Sequence, residues 1–159
     1  MRPSLFASSE RQAKRERLHD GHAMRPTQDE LIAFLANVFP QNPCTVQTLT
    51  PEGAIVSYQV SERDLRPGGT ISGPSMFLVA DVALYVAILS RVGLVPLAVT
   101  TDLSIHFLRK PVAHAALRGE CRLIKLGRSL ATGDVLIYSE GRDAPVAHAV
   151  GSYAIPAAG

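Results

Sequence analysis

Near the middle of the 159-residue chain a carboxylate, Asp81, stands in about eighteen residues that are otherwise almost wholly apolar. Its neighbours one helical turn away are Phe77 and Leu78 on one side and Leu84 and Tyr85 on the other. An aspartate in that setting is a poor helix former and gives up hydration. Two readings follow from the residues. Asp81 is either a buried polar group satisfied by a backbone or side-chain partner, or a desolvated carboxylate with a raised pKa, suited to act as a base near neutral pH. Eight residues earlier Gly73 lies between Ser72 and Pro74, where the apolar run begins. An uncovered backbone N–H there, at the positive end of a helix dipole, could hold a developing oxyanion. A base and an oxyanion donor are the two halves of acyl transfer.

The element that must position both is a helix over Ser75–Leu89, entered through Ser72, Gly73 and Pro74 and stopped by Gly93 and Pro96. Ahead of it, Thr27 and Glu30 form a capping-box pattern before an apolar stripe of Leu31, Ile32, Phe34, Leu35 and Val38, which predicts a short amphipathic helix from Pro26 to Phe39. Two β-prone runs, Thr45–Thr50 and Ala54–Val60, flank a Pro51–Gly53 turn, and a charged loop, Ser61–Pro67, leads to the long helix. After the helix the period changes from helical to strand-like. Four runs follow, Leu97–Leu108, Ala113–Leu126, Ser129–Ser139 and Val146–Ile155, separated by turns short enough to make neighbours antiparallel. The pattern predicts an α+β domain over residues 26–159, with about six antiparallel strands wrapped around the one helix apolar enough to cover them.

Length and a 47% apolar, 19% charged composition suit one domain with a single core. Met1–Arg25 holds six basic and three acidic side chains and no sustained apolar period, and it reads as a flexible arm. The remainder has ten basic and eleven acidic residues, a balance that argues against a nucleic-acid partner. The apolar run is interrupted by Asp81 and reads as a core helix, not a membrane span. With no apolar segment behind the N-terminal charges, the expected location is cytoplasmic. Cys44 and Cys121 lack metal-ligand spacing and are expected to be reduced core residues. His106, in the strand after the helix, reads as a core or interface residue.

The segment from Gly73 through Leu78, Val79, Ala80 and Asp81, then VTTDLSIHFLRKP at Val99–Pro111, then Leu126, Gly127, Arg128 and Ser129, and VAHAVGSY at Val146–Tyr153, resembles the hotdog-fold acyl-CoA thioesterases of the phenylacetate-degradation (PaaI-like) branch. The resemblance implies hydrolysis of an acyl-CoA thioester, with Asp81 as general base or nucleophile and the Gly73 amide polarising the carbonyl. It implies no cofactor, coenzyme A entering only as part of the substrate. Where the family often has His-Gly-Gly, this chain has Ser72, Gly73 and Pro74; Ser72 can donate one hydrogen bond, and Pro74 has no N–H. Tyr85 is a pocket wall or a donor, and Phe77 and Pro74 join the acyl site. Arg109, Lys110 and Arg128, with Ser129 beside the last, are candidate contacts to coenzyme A phosphates. Alternatives are a non-catalytic acyl-CoA binding module and a hydratase or dehydratase acting on acyl-CoA or acyl carrier protein. Eight residues on one helix put Gly73 and Asp81 ~12 Å apart, too far for one carbonyl. The resemblance therefore implies a homodimer sharing its sites, often as a dimer of dimers.

Overall fold

The computed structural model describes residues 25–157; the expected N-terminal arm, Arg25 apart, lies outside them. The elements are α1 (Gln28–Val38), β1 (Cys44–Leu49), β2 (Gly53–Tyr58), a single 3-10 turn (Glu62–Asp64), α2 (Gly73–Val92), β3 (Val99–Phe107), β4 (Leu117–Leu126), β5 (Leu130–Ser139) and β6 (Ala147–Ala154). At the start of α1 the Thr27 hydroxyl accepts from the Glu30 amide at 3.2 Å, and the Glu30 carboxylate accepts from the Thr27 amide at 2.7 Å. Leu31 and Leu35 are its buried face. The Gln28 side chain fastens the helix to β1, donating to the Gln47 carbonyl and accepting from the Leu49 amide.

The six strands form one antiparallel sheet in the order β1-β2-β4-β5-β6-β3. Curled around α2, it is the hotdog fold. The helix would be long and apolar enough to cross a bilayer by composition, yet the sheet buries it: Val79, Leu84, Val86, Ile88 and Leu89 are fully enclosed. Each such side chain contributes about 1.5–3 kcal/mol. Close approach depends on glycines on the concave face. A Cβ on Gly119 would lie 2.8 Å from the Val79 side chain, and one on Gly133 or Gly151 would lie 2.9 Å from a Leu84 methyl.

The largest departures from the expected boundaries are in the long helix and in β4. The long helix runs Gly73–Val92, not Ser75–Leu89, because Ser72 is its cap and Pro74 falls in the first turn, where an absent N–H breaks no hydrogen bond. Strand β4 starts at Leu117 instead of Ala113: Pro111 and His114, the latter at φ 60, hold the preceding residues in a turn.

Candidate active site

Asp81 projects from α2 toward the start of β3 and the end of β6. Its Oδ1 accepts hydrogen bonds from the Thr100 hydroxyl at 2.6 Å and the Tyr153 phenol at 2.7 Å. Both donors converge on the one oxygen, the phenol also lying 3.0 Å from the Asp81 backbone carbonyl, and no described residue bonds Oδ2. Burial, more than anything else, raises the Tyr153 phenol well above its ordinary value, so it remains a donor. The carboxylate faces a cleft of about 380 Å³ lined by Val38, Phe39, Tyr85, Pro96, Ala98 and Thr100, among others. Phe39 meets Tyr85 edge-on at 6.4 Å, and Tyr85 stacks on Tyr153 at 6.0 Å. Asp81 has the side-chain partners that one of the two sequence readings expected, but within one chain it is less buried than either reading had it. Asp81 is half-buried, because the helix face carrying it looks out toward the open edge of the sheet, where Phe77 is itself exposed.

The second expected site residue, Gly73, opens the same helix, eight residues before Asp81. Gly73 is the first helical residue, and no described group accepts its N–H. The Phe107 ring closes over it, 3.0 Å from where a Cβ would be. A cleft of about 570 Å³ joins Gly73 to Arg66, Phe107, Arg109 and Lys110. Beneath this end sits a buried carboxylate, Asp64, only 6% exposed. Its Oδ1 accepts from the Tyr58 phenol at 2.6 Å and the Ser75 hydroxyl at 2.8 Å, and its Oδ2 accepts from the Ser61 amide and hydroxyl at 2.7 and 3.1 Å. Burial alone would raise the Asp64 carboxyl, but these donors hold it below the usual carboxylate range. The Ser72 amide donates to the Asp64 carbonyl at 2.7 Å.

The family profile described as "Thioesterase superfamily" matches residues 68–146. A solved structure of a candidate thioesterase from Silicibacter sp. TM1040 is 45% identical, with a TM-score of 0.76 over 86% of this chain and 96% of that one. The chain belongs to the thioesterase superfamily. A mutant of the phenylacetic acid degradation protein PaaI from Thermus thermophilus is similar at 26% identity and a TM-score of 0.62, covering 74% of this chain and 96% of that one. A Streptococcus mutans UA159 protein solved with acetyl-CoA shares the fold at 20% identity and a TM-score of 0.62, over 72% and 89% of the two chains. No curated protein matches the sequence.

Among the expected site residues of this thioesterase-family chain, Tyr85 lines the Asp81 cleft, but its phenol donates to the Pro96 carbonyl at 3.1 Å, leaving the ring as a wall. Arg109 and Lys110 accompany Gly73, the Arg109 guanidinium donating to the Pro145 carbonyl. Pro74 and Phe77 are exposed on the first turns of α2. Arg128 and Ser129 lie in the β4–β5 turn, where the Ser129 carbonyl accepts from the Ile155 amide; register along β5, β6 and β3 puts that turn at the Asp81 end. One chain thus puts Asp81 and Tyr85 in one cleft and Gly73, Arg109 and Lys110 in another. His106 is not a core residue: it is exposed on β3 opposite His148. Cys44 and Cys121 are buried free thiols that burial pushes up to about 12. Sequence reasoning missed Thr100, Tyr153, Asp64 and Arg66. For Tyr153 a signal existed, an inward position on the last strand; for Asp64, in a charged loop, there was none.

Proposed function

We propose that the protein hydrolyses an acyl-CoA thioester in a site completed by a second copy of the chain. The observation that carries this reading is the anchored carboxylate: two hydroxyls fix Asp81 Oδ1 and leave Oδ2 free to take a proton from water or to attack the carbonyl. The Gly73 N–H, without an acceptor at the head of α2, is the oxyanion donor. Water attacks the carbonyl carbon, Asp81 takes its proton, and collapse of the tetrahedral intermediate expels the coenzyme A thiolate. The acetyl-CoA held by the Streptococcus mutans protein of this fold supports a coenzyme A substrate. Arg66, Arg109 and Lys110 beside Gly73 supply cations for its phosphates. A hydratase would need an imidazole beside the carboxylate, and within one chain neither cleft is lined by one.

The second copy follows from the distance between the two halves. Strand β3 is an open edge, with Val99 56% and Phe107 54% exposed, the kind of long apolar edge that pairs with another strand. Gly73 sits against Phe107 at one end of it and Asp81 against Thr100 at the other. Pairing two β3 strands antiparallel about Leu103 sets Phe107 near the partner's Val99 and Thr100, and so brings Gly73 toward the partner's Asp81. The same rotation brings Arg109 and Lys110 toward the partner's Arg128. The first test is Asp81→Asn: hydrolysis of a panel of short, long and aryl acyl-CoA thioesters, read by free-thiol release, falls at least about a hundredfold with folding intact. Undiminished turnover in a folded Asp81→Asn protein removes Asp81 from the mechanism.

A further inference from the structure

We propose that Asp64 is a positioning residue that sets the direction of the Ser72 hydroxyl proton, turning it away from the thioester and leaving Gly73 as the sole oxyanion donor of that chain. The inference rests on the oxyanion reading of Gly73 and follows from counting protons. A carboxylate only accepts, so the Ser75 hydroxyl proton goes to Asp64 Oδ1, at 2.8 Å. Ser72 Oγ lies 2.8 Å from Ser75 Oγ, and Ser75 has no second proton to offer. Ser72 must therefore donate to Ser75, while its own oxygen accepts from the Ser75 amide at 3.4 Å. The hydroxyl that sequence alone offered to the substrate is committed to the helix cap.

Converting Asp64 to asparagine reverses the chain. The Ser61 backbone N–H, 2.7 Å from Oδ2, cannot turn around and requires an oxygen. That fixes the amide oxygen of Asp64→Asn on the Ser61 side and the NH2 group on the side of Tyr58 and Ser75, two hydroxyls free to rotate into acceptors. Ser75 then donates to Ser72, and the Ser72 proton is no longer held at Ser75. Removing the Asp64 charge also favours an oxyanion nearby, and Ser72→Ala separates the two effects because only the released proton needs Ser72.

The experiment is a double-mutant cycle on the full chain with acyl-CoA hydrolysis as readout. Asp64→Asn is expected to raise kcat about tenfold with KM unchanged, short of the ~10²–10³ that a rigid oxyanion donor supplies. In a Ser72→Ala background the same substitution is expected to produce less than about a third of that gain. Ser75→Ala, which keeps the Asp64 charge but deletes the acceptor of the Ser72 proton, is expected to raise kcat in the same direction, and it serves if Asp64→Asn folds poorly. Equal effects of Asp64→Asn with and without Ser72, or a fall in kcat for both Asp64→Asn and Ser75→Ala, overturn the proposal. Neutron diffraction from deuterium-exchanged crystals of the native chain decides it without turnover: the Ser72 deuteron points at Ser75, and a deuteron pointing outward overturns the inference. Failure of the hydrolase reading shows separately, as undiminished turnover in Asp81→Asn.

Discussion

Asp81 and Asp64 are both carboxylates at helix α2, and their partners give them different work. Two hydroxyls on one oxygen orient Asp81 while leaving the other open to the cleft. A hydrogen bond to a charged group is worth about 1.5–3 kcal/mol, so Tyr153→Phe, which frees the carboxylate to rotate, is expected to lower kcat about tenfold with KM little changed, measured on the best acyl-CoA of the panel. Asp64 is enclosed, with four donors on its two oxygens. Its folded pKa is depressed, so its stabilisation is complete well above the unfolded value of about 4 and is lost as pH falls through the folded pKa. Asp64→Ala is therefore expected to lower unfolding free energy by about 2–3 kcal/mol at pH 7. Denaturant titrations should show the gap to the native protein narrowing below about pH 4. Asp134, held low by His148 and Arg122 despite its burial, adds acid sensitivity of the same sign to both proteins.

At the scale of elements, the site depends on how closely α2 lies on the sheet. Gly151 on β6 faces Leu84 from the helix and Leu103 from β3, a Cβ there meeting their methyls at 2.9 and 2.6 Å and the Asp102 carbonyl at 2.9 Å. Because one of those contacts is backbone, repacking side chains cannot relieve it. Gly151→Val is expected to destabilise the fold by about 1–3 kcal/mol, read as a lower denaturation midpoint. It should also reduce turnover, since the same wedge separates Asp81 from Thr100 on the neighbouring strand. An unchanged midpoint would show that the helix has slack against β6.

At the scale of the whole molecule, one chain has Gly73 with Arg66, Arg109 and Lys110 at one end of β3 and Asp81 with Arg128 at the other. A shared site predicts complementation. Gly73→Pro removes the donor N–H at the first helical position, where no helix hydrogen bond is lost but the Phe107 ring must shift, and Asp81→Asn removes the base. Once each variant is shown to fold, mixed dimers of the two are expected to recover a measurable part of native hydrolysis, because one of their two sites keeps both native groups. Mixed dimers no more active than the parents would show that each chain works alone.

The fold was legible in the sequence because its determinants are local and periodic. A single long apolar run capped by Ser72 and ended by Gly93, set among alternating runs joined by short turns, leaves an antiparallel sheet around one helix as the economical burial. The places of Asp81 and Gly73 on that helix were legible as well, one as a charge in an apolar run and the other as a glycine at a helix start. What surrounds them was not. Thr100 and Tyr153 lie 19 and 72 residues from Asp81 and reach it through strand register, and the charged loop carrying Asp64 gave no sign that it folds under the helix cap. Hydrogen-bond direction is also decided in three dimensions. Ser72 has one proton, and only the arrangement of Ser75, Asp64 and the Ser61 amide determines where that proton points.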